Sequence, residues 1–346
     1  MTVEQPAPET STATALHFRR LRSGQLDRDG EVLGARLLAA AGPATAGLAG
    51  VAVHAELLAP GDATLDVWFT ERPVATHQLG CVRYTTDGDW LHCSASLDAG
   101  LGEGGLEQAS YRVYSDLFAV LARHTSPHLL RLWNYLPGIN DDGHGLEHYR
   151  HFNIGRQRAF IAAGRSAFEG SPAACALGTQ GGPLQVYFLA GRKAPLAIEN
   201  PRQVSAYHYP NQYGPRSPTF SRAALADVGA GRHALFISGT ASIVGHASVH
   251  LGDVCRQTEE TLLNINAVLE ATARQADVWL PAEALTCTVY LRRRQDLAPV
   301  QQVLEQRLGS QSQAVRTAVY LLADICRADL LVEIEAHGFA VSGSGA

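Results

Sequence analysis

The stretch HALFISGTASIVGHASVHLGDVCRQTEETLLNINAVLEATARQ (residues 233–275) sets the architecture of the chain. Residues 234–238 are an apolar run of strand length, and residues 239–252 are mostly glycine and small polar groups suited to a loop. Asp253 stands where a helix N-cap belongs, because its short side chain accepts from first-turn amides. Behind it Cys255, Thr258, Leu262, Ile265 and Leu269 recur at spacings of three and four, which puts them on one helix face. A buried strand, a loop and a long amphipathic helix are expected.

Downstream, LTCTVYL (residues 285–291) alternates as a strand, and DLAPVQQVLEQRLG (residues 296–309) reads as a helix with Val300, Val303, Leu304 and Leu308 inward. ADICRADLLVEIEA (residues 323–336) closes the set with a second alternating strand. Leu330, Val332, Ile334 and Ala336 share one face of it, and Leu331, Glu333 and Glu335 share the other. A turn-like break at residues 327–329 would fold Cys326 back beside Glu333. That face is either the wet side of an edge strand or an acid in a site. The whole run predicts an α+β layer, with helices on one face of a mixed sheet and the other face covered by a second domain or subunit.

Upstream, LDVWFT (residues 65–70), LHCSASL (91–97) and LQVYFLA (184–190) read as strands, and EQASYRVYSDLFAVLARH (107–124) as an amphipathic helix. Strand, helix and strand recur as in the second half, so a degenerate copy is expected over residues 15–195, ahead of the domain at 196–346. The proline-bearing stretch at 191–201 marks the boundary. Residues 1–14 are rich in Pro, Thr, Ser, Ala and Glu without an apolar period, and are expected to be disordered and not a secretory leader.

The formal charge of −5 comes with 28 basic residues scattered along the chain, which disfavours nucleic acid as a partner. No apolar run reaches the length of about 18 that a membrane span needs. Six cysteines form no C-x-x-C pair, the pattern of reduced thiols in a cytoplasmic protein. Two histidine groups, His246 and His250 with Asp253 and His144, His148 and His151, lack a metal signature and read as structural or surface residues, so no metal is expected. GTQGGP (178–183) lacks the lysine of a phosphate loop.

LFISGTAS (235–242), GDVCRQTEETLLNINAVLEA (252–271), LTCTVYLRRRQDLAPVQQVL (285–304) and DLLVEIEA (329–336) together resemble the RidA/YjgF superfamily, in order and spacing. With LRLWNYLPGIN (130–140), HYRHFNIGRQRAF (148–160) and YHYPNQYGPRSPTFSRA (207–223), the chain more narrowly resembles the chorismatases, enzymes that cleave chorismate and whose C-terminal half is RidA-like. The resemblance implies two RidA/YjgF-like halves and a glutamate that protonates the enolpyruvyl methylene, which falls on Glu333. It also implies, through Cys326 and Gly239, the subtype that makes 3-hydroxybenzoate, because the hydrolytic subtype carries alanine at both places. The arginine that holds a carboxylate in RidA-type imine deaminases would fall near Ala318, with Arg316 out of register.

Chorismate carries two carboxylates, an enol ether and a ring alcohol, so its site needs cationic forks and a proton donor, with no cofactor. Arg156 and Arg216, each beside aromatic and small residues, are the candidate forks, with Tyr149 and Tyr213 as phenolic partners and Gly239 beside the substrate. Taken alone, such arginines are ordinarily solvated, a glutamate on an alternating strand ordinarily faces water, and a cysteine ordinarily fills a small apolar space. Glu335 is read as such a surface glutamate. Glu333 can donate a proton at neutral pH only if a dry setting raises its affinity. Four readings remain: a 3-hydroxybenzoate-forming chorismatase with pyruvate as coproduct, a hydrolytic chorismatase, an imine deaminase, and a non-catalytic small-molecule binder. The oligomeric state is open.

Overall fold

A computed structural model describes residues 14–22, 30–38, 52–98, 104–143, 145–166 and 170–341. Four helices carry most of the helical structure: α1 (Gly105–Leu121), α2 (His148–Ala162), α3 (Val254–Ala276) and α4 (Leu297–Leu308). The second-half sheet runs, in spatial order, Leu196–Ile198, Ala223–Asp227, Arg232–Ala241, Val332–Val341, Thr286–Leu291, Val319–Leu322 and Glu56–Ala59. The first-half sheet runs Ala75–Leu79, Val82–Thr86, Trp90–Leu97, Leu184–Gly191, His128–Pro137, Ala173–Thr179 and Asp324–Ile325. The two orders match strand for strand. Each has one parallel pair at the same place, Thr286–Leu291 with Val319–Leu322 and His128–Pro137 with Ala173–Thr179.

Strand side chains alternate, so each sheet has two apolar faces to cover. Cys287, Val289 and Leu291 pack toward α3 and α4, whose inward residues include Ile265, Val268, Val300, Val303 and Leu304. Leu132, Leu136, Val186 and Phe188 pack toward α1 and α2 in the same way. The remaining faces meet each other: Trp133, Tyr135, Cys175 and Leu189 of the first sheet pack against Phe236, Tyr290, Val319 and Leu321 of the second. Each buried aliphatic or aromatic side chain contributes about 1.5–3 kcal/mol here. The partner layer that the second half requires is therefore the first half of the same chain. A third sheet, His17–Arg22, Thr64–Thr70 and Glu31–Leu38, adds Leu33, Leu38 and Trp68 to this middle core.

Each half also lends a strand to the other. Glu56–Ala59 pairs with Val319–Leu322, and Asp324–Ile325 pairs with Ala173–Thr179. The correspondence runs to single residues: Tyr135 pairs with Gln185 and Leu177 as Tyr290 pairs with Glu333 and Leu321. The two tyrosine hydroxyls meet at 2.9 Å, where the sheets face each other.

Several expectations are adjusted. Asp253 caps α3 by accepting from the Arg256 amide, but Cys255 is exposed and the buried stripe begins at Val254. Thr258, Leu262, Ile265 and Leu269 are buried as expected, so only the first turn differs. The expected loop at 239–252 starts as a continuation of the strand and then forms a short hairpin, Ile243–Val244 with Ala247–Ser248. Of the residues expected to be disordered, 1–13 lie outside the described residues. Thr14 is buried, its amide donating to Asp89 Oδ2 at 2.9 Å. No helix among the described residues is long and apolar enough to cross a membrane.

Candidate active site

Glu333 and Glu335 lie on a central strand, paired on both sides, so neither faces water at a sheet edge. Val332, Ile334 and Ala336 turn to the helices, and the two carboxyls turn into the space between the sheets, each residue 3% exposed. The neighbouring strand has a β-bulge here: Ile237 pairs with Ala336 but Thr240 pairs with Ile334, so Ser238 and Gly239 together oppose Glu335. A Cβ on Gly239 would collide with Glu333 Oε1 and come within 2.7 Å of its Cδ, so the bare backbone is what makes room for the acid.

The two glutamates are held in opposite states. Burial pushes the Glu333 carboxyl up to about 8, the charge of Glu335 pushes the same way, and Arg131 opposes. Burial would also raise Glu335, but Arg36 and Arg131 hold it at about 2. Arg36 Nη2 donates to Glu335 Oε1 at 2.7 Å and to Asp66 Oδ2 at 2.9 Å. Arg131 Nη2 donates to Glu335 Oε2 at 2.6 Å, and Trp133 Nε1 to Oε1 at 3.2 Å. Arg20 closes the cluster by gripping Asp66 through Nε and Nη2. At neutral pH Glu333 is a protonated acid, and Glu335 is a fixed anion and not the surface residue the sequence suggests.

Glu333 opens onto a cavity of about 580 Å³. Buried Ala241 and Ile243 lie with Glu333 at its floor, while exposed Gln212, Ala247, Ala328 and Asp329 form its rim. Five of the seven residues singled out from sequence meet there: Glu333, Cys326, Gly239, Tyr149 and Tyr213. Burial and the neighbouring Glu333 push the Cys326 thiol up to about 12, so it stands as a neutral S–H.

The two arginines do not meet there. Arg216 is exposed on the loop after Tyr213 and does not line the cavity. Arg156 is buried in α2, its guanidinium within 6 Å of the rings of Tyr114, Phe152 and Phe160, and Nη2 donates to the Thr219 carbonyl at 2.6 Å. It ties the helix to the loop that leads into Ala223–Asp227. The cations that line the cavity are Arg150, Arg222 and Arg327. Arg222 donates to the Val204 carbonyl and the Tyr209 hydroxyl, each at 2.8 Å, and its Nε has no partner among the described residues. Arg327 lies 3.9 Å from the Tyr213 ring centroid and donates to the His246 carbonyl at 2.8 Å, leaving buried Nη2 similarly unpartnered. Arginine donors left unsatisfied in a cavity suit a carboxylate. The sequence carries a signal for both: Arg222 ends the same loop that holds Arg216, and Arg327 directly follows Cys326.

Ala318 is buried and Arg316 exposed, and neither lines the cavity. Among the described residues no group of three or more His, Cys, Asp or Glu is placed to hold a metal ion; His144 lies outside them.

Residues 66–190 match the family model described as chorismatase FkbO/Hyg5-like, N-terminal. A protein of Streptomyces rapamycinicus named chorismatase is 35% identical over 94% of this chain and 97% of its own length. One of Streptomyces hygroscopicus named 3-hydroxybenzoate synthase is 36% identical over 78% of this chain and 80% of its own. A chorismatase crystal structure superposes with a TM-score of 0.83 at 34% identity, covering 94% of this chain and 99% of that one. With 35% identity over nearly the whole length of both proteins, the chain belongs to the chorismatase family.

Proposed function

We propose that this chain converts chorismate to 3-hydroxybenzoate and pyruvate, with Glu333 as the acid. The observation that carries the reading is Glu333 itself, a dry carboxyl raised to about 8 at the floor of a cation-lined cavity. A general acid works best when its proton affinity lies near the working pH. Arg222 and Arg327 hold the two substrate carboxylates, and Tyr149 and Tyr213 add phenolic contacts.

Glu333 gives its proton to the enolpyruvyl methylene, which becomes the methyl of pyruvate. The ether oxygen takes the electron pair of its bond to the ring as the adjacent ring hydroxyl attacks that ring carbon, and the hydroxyl proton returns to Glu333. The resulting epoxide opens and aromatises: Cys326 S–H donates to the opening oxygen and is reloaded by the proton that the ring carbon releases. The two products account for every atom of chorismate, so no water is consumed. The relative named 3-hydroxybenzoate synthase and the Gly239–Cys326 pair favour this outcome over hydrolysis.

Incubation with chorismate, with pyruvate measured enzymatically and organic products separated by chromatography, tests the reading. Equimolar pyruvate and 3-hydroxybenzoate are expected. Pyruvate with a dihydroxycyclohexadiene carboxylate would instead identify the hydrolytic reaction, and chorismate binding without pyruvate a non-catalytic binder.

A further inference from the structure

Beside Glu333 lies an ion cluster that the proton transfer does not touch: Glu335, Arg36, Arg131, Asp66 and Arg20, with Trp133 above both Arg36 (4.7 Å) and Arg131 (5.3 Å). Stability does not account for it, since an apolar replacement of a buried ion pair is often neutral or stabilising. The matching strand of the first half makes that replacement. Register aligns Gln185 with Glu333 and Tyr187 with Glu335, because Trp133 pairs with Tyr187 as Thr288 pairs with Glu335. The position without an acid therefore has an aromatic residue in place of the clamped anion.

We propose that Glu335, clamped between Arg36 and Arg131, is a positioning residue that sets the proton affinity of Glu333. The inference rests on Glu333 being the acid. Glu335 lies two residues along the same strand face, where its fixed negative charge disfavours ionisation of Glu333, and Arg131 opposes it. The other titratable groups facing Glu333 are Cys175 on Ala173–Thr179, Cys326 after Asp324–Ile325, and Tyr149 on α2. Those facing Glu335 are Tyr135, Tyr290, Cys175, Cys287 and His337. Burial keeps these thiols and phenols uncharged and His337 neutral at working pH, so Glu335 and Arg131 are the charges that act on Glu333, and Arg36 and Arg131 those that act on Glu335, while Asp66 and Arg20 behind Arg36 and the cavity cations Arg150, Arg222 and Arg327 stay the same in every variant below. The clamp keeps the acid loaded at neutral pH, and Arg131 stops its affinity rising so far that the proton is withheld.

The test is the pH profile of kcat/KM for chorismate cleavage, whose basic limb reports Glu333 in the free enzyme. Arg131→Met leaves Glu335 paired with Arg36 and should move that limb up by about one pH unit. Glu335→Gln leaves two cations facing the acid and should move it down by a similar amount. Arg131→Lys and Glu335→Asp keep the charges and should leave it in place, whatever they do to stability. A purely structural role predicts lower Tm with an unmoved limb, and that result in Arg131→Met overturns the proposal even if Glu335→Gln fails to fold. A carbon-13 carboxyl titration of Glu333 in Arg131→Met gives the same answer without turnover. Full activity in Glu333→Gln would instead refute the acid assignment on which the inference rests.

Discussion

Gln185 and Glu333 occupy matching places in the two sheets, each across from one of the two tyrosines that touch at the centre, yet one is inert and the other sits in a cavity. The Gln185 amide is consumed at both ends: Oε1 accepts from the His54 amide at 3.0 Å, and Nε2 donates to the Ala52 carbonyl at 2.8 Å. Glu333 faces a bulge emptied of side chain by Gly239, whereas the strand beside Gln185 pairs without a break from Leu97 to Trp90. Past the matched Leu57 and Ile325, the exchanged strands continue with Leu58 and Ala59 in the first half and with Cys326 and Arg327 in the second. A shared backbone thus becomes a site only where a bulge clears space, the chain leaves it open, and the lent strand brings polar groups.

Making the live position like the silent one is the largest change. Glu333→Gln keeps a hydrogen-bonding group of the same shape but has no acidic proton, so pyruvate release should fall by about 100-fold or more. It should also stabilise the fold at alkaline pH. The folded carboxyl keeps its proton to about 8 while the unfolded one ionises near 4.5, so wild-type stability declines as pH rises through that window. Melts at pH 8 should show the variant ahead by on the order of 2–4 kcal/mol, with the gap closing toward pH 4.5. Turnover equal to wild type would remove Glu333 from the chemistry.

Arg327→Leu makes the segment after the lent strand more like the apolar Leu58–Ala59 of the first half. Loss of a charged fork should lower kcat/KM by roughly 30- to 100-fold, or about 2–3 kcal/mol, mostly through KM. An unchanged KM would place the carboxylates on Arg222 and Arg150 alone.

Gly239→Ala fills the bulge. The new methyl meets the Glu333 carboxyl itself, not open substrate space, so the acid must rotate and turnover should drop by about 10-fold, with overpacking costing roughly 1–3 kcal/mol. A variant that keeps full rate and changes only its product would show that Glu333 has a second productive rotamer.

The smallest effect on activity is expected from Gln185→Glu. The added carboxylate has no cavity to serve and loses the donor to Ala52, so chorismate turnover should stay within twofold while stability falls by about 1–3 kcal/mol. Any gain in turnover would break the contrast between the halves.

Much of this was legible before the structure. Periodicity gives the inward set of α4 to the residue, and Asp253 marks the cap of α3, because periodicity and capping are local. The resemblance points to Glu333, Cys326 and Gly239 and the chemistry of chorismate to Tyr149 and Tyr213, and all five meet in one cavity. The sequence offers Arg216 and Arg156, whereas Arg222 and Arg327 line the cavity, because sequence shows which residues neighbour an arginine in the chain, not which way its guanidinium points. Glu335 misled for a related reason: its partners Arg36 and Arg131 lie 299 and 204 positions away. Alternation tells which face a residue takes, and only the packing of two sheets tells whether that face is wet.

The lending of strands bears on how the molecule can be divided. Cutting the chain between residues 195 and 196 would give neither fragment a complete sheet, since Glu56–Ala59 would leave with one piece and Asp324–Ile325 with the other. Each fragment would expose a bare hydrogen-bonding edge, the kind that pairs with whatever strand it meets. Melting of either half strips an edge from its neighbour, which makes loss of structure a single event. The glutamate-bearing half is therefore not a portable catalyst, and a split gene would yield activity only when its two products find each other and trade strands.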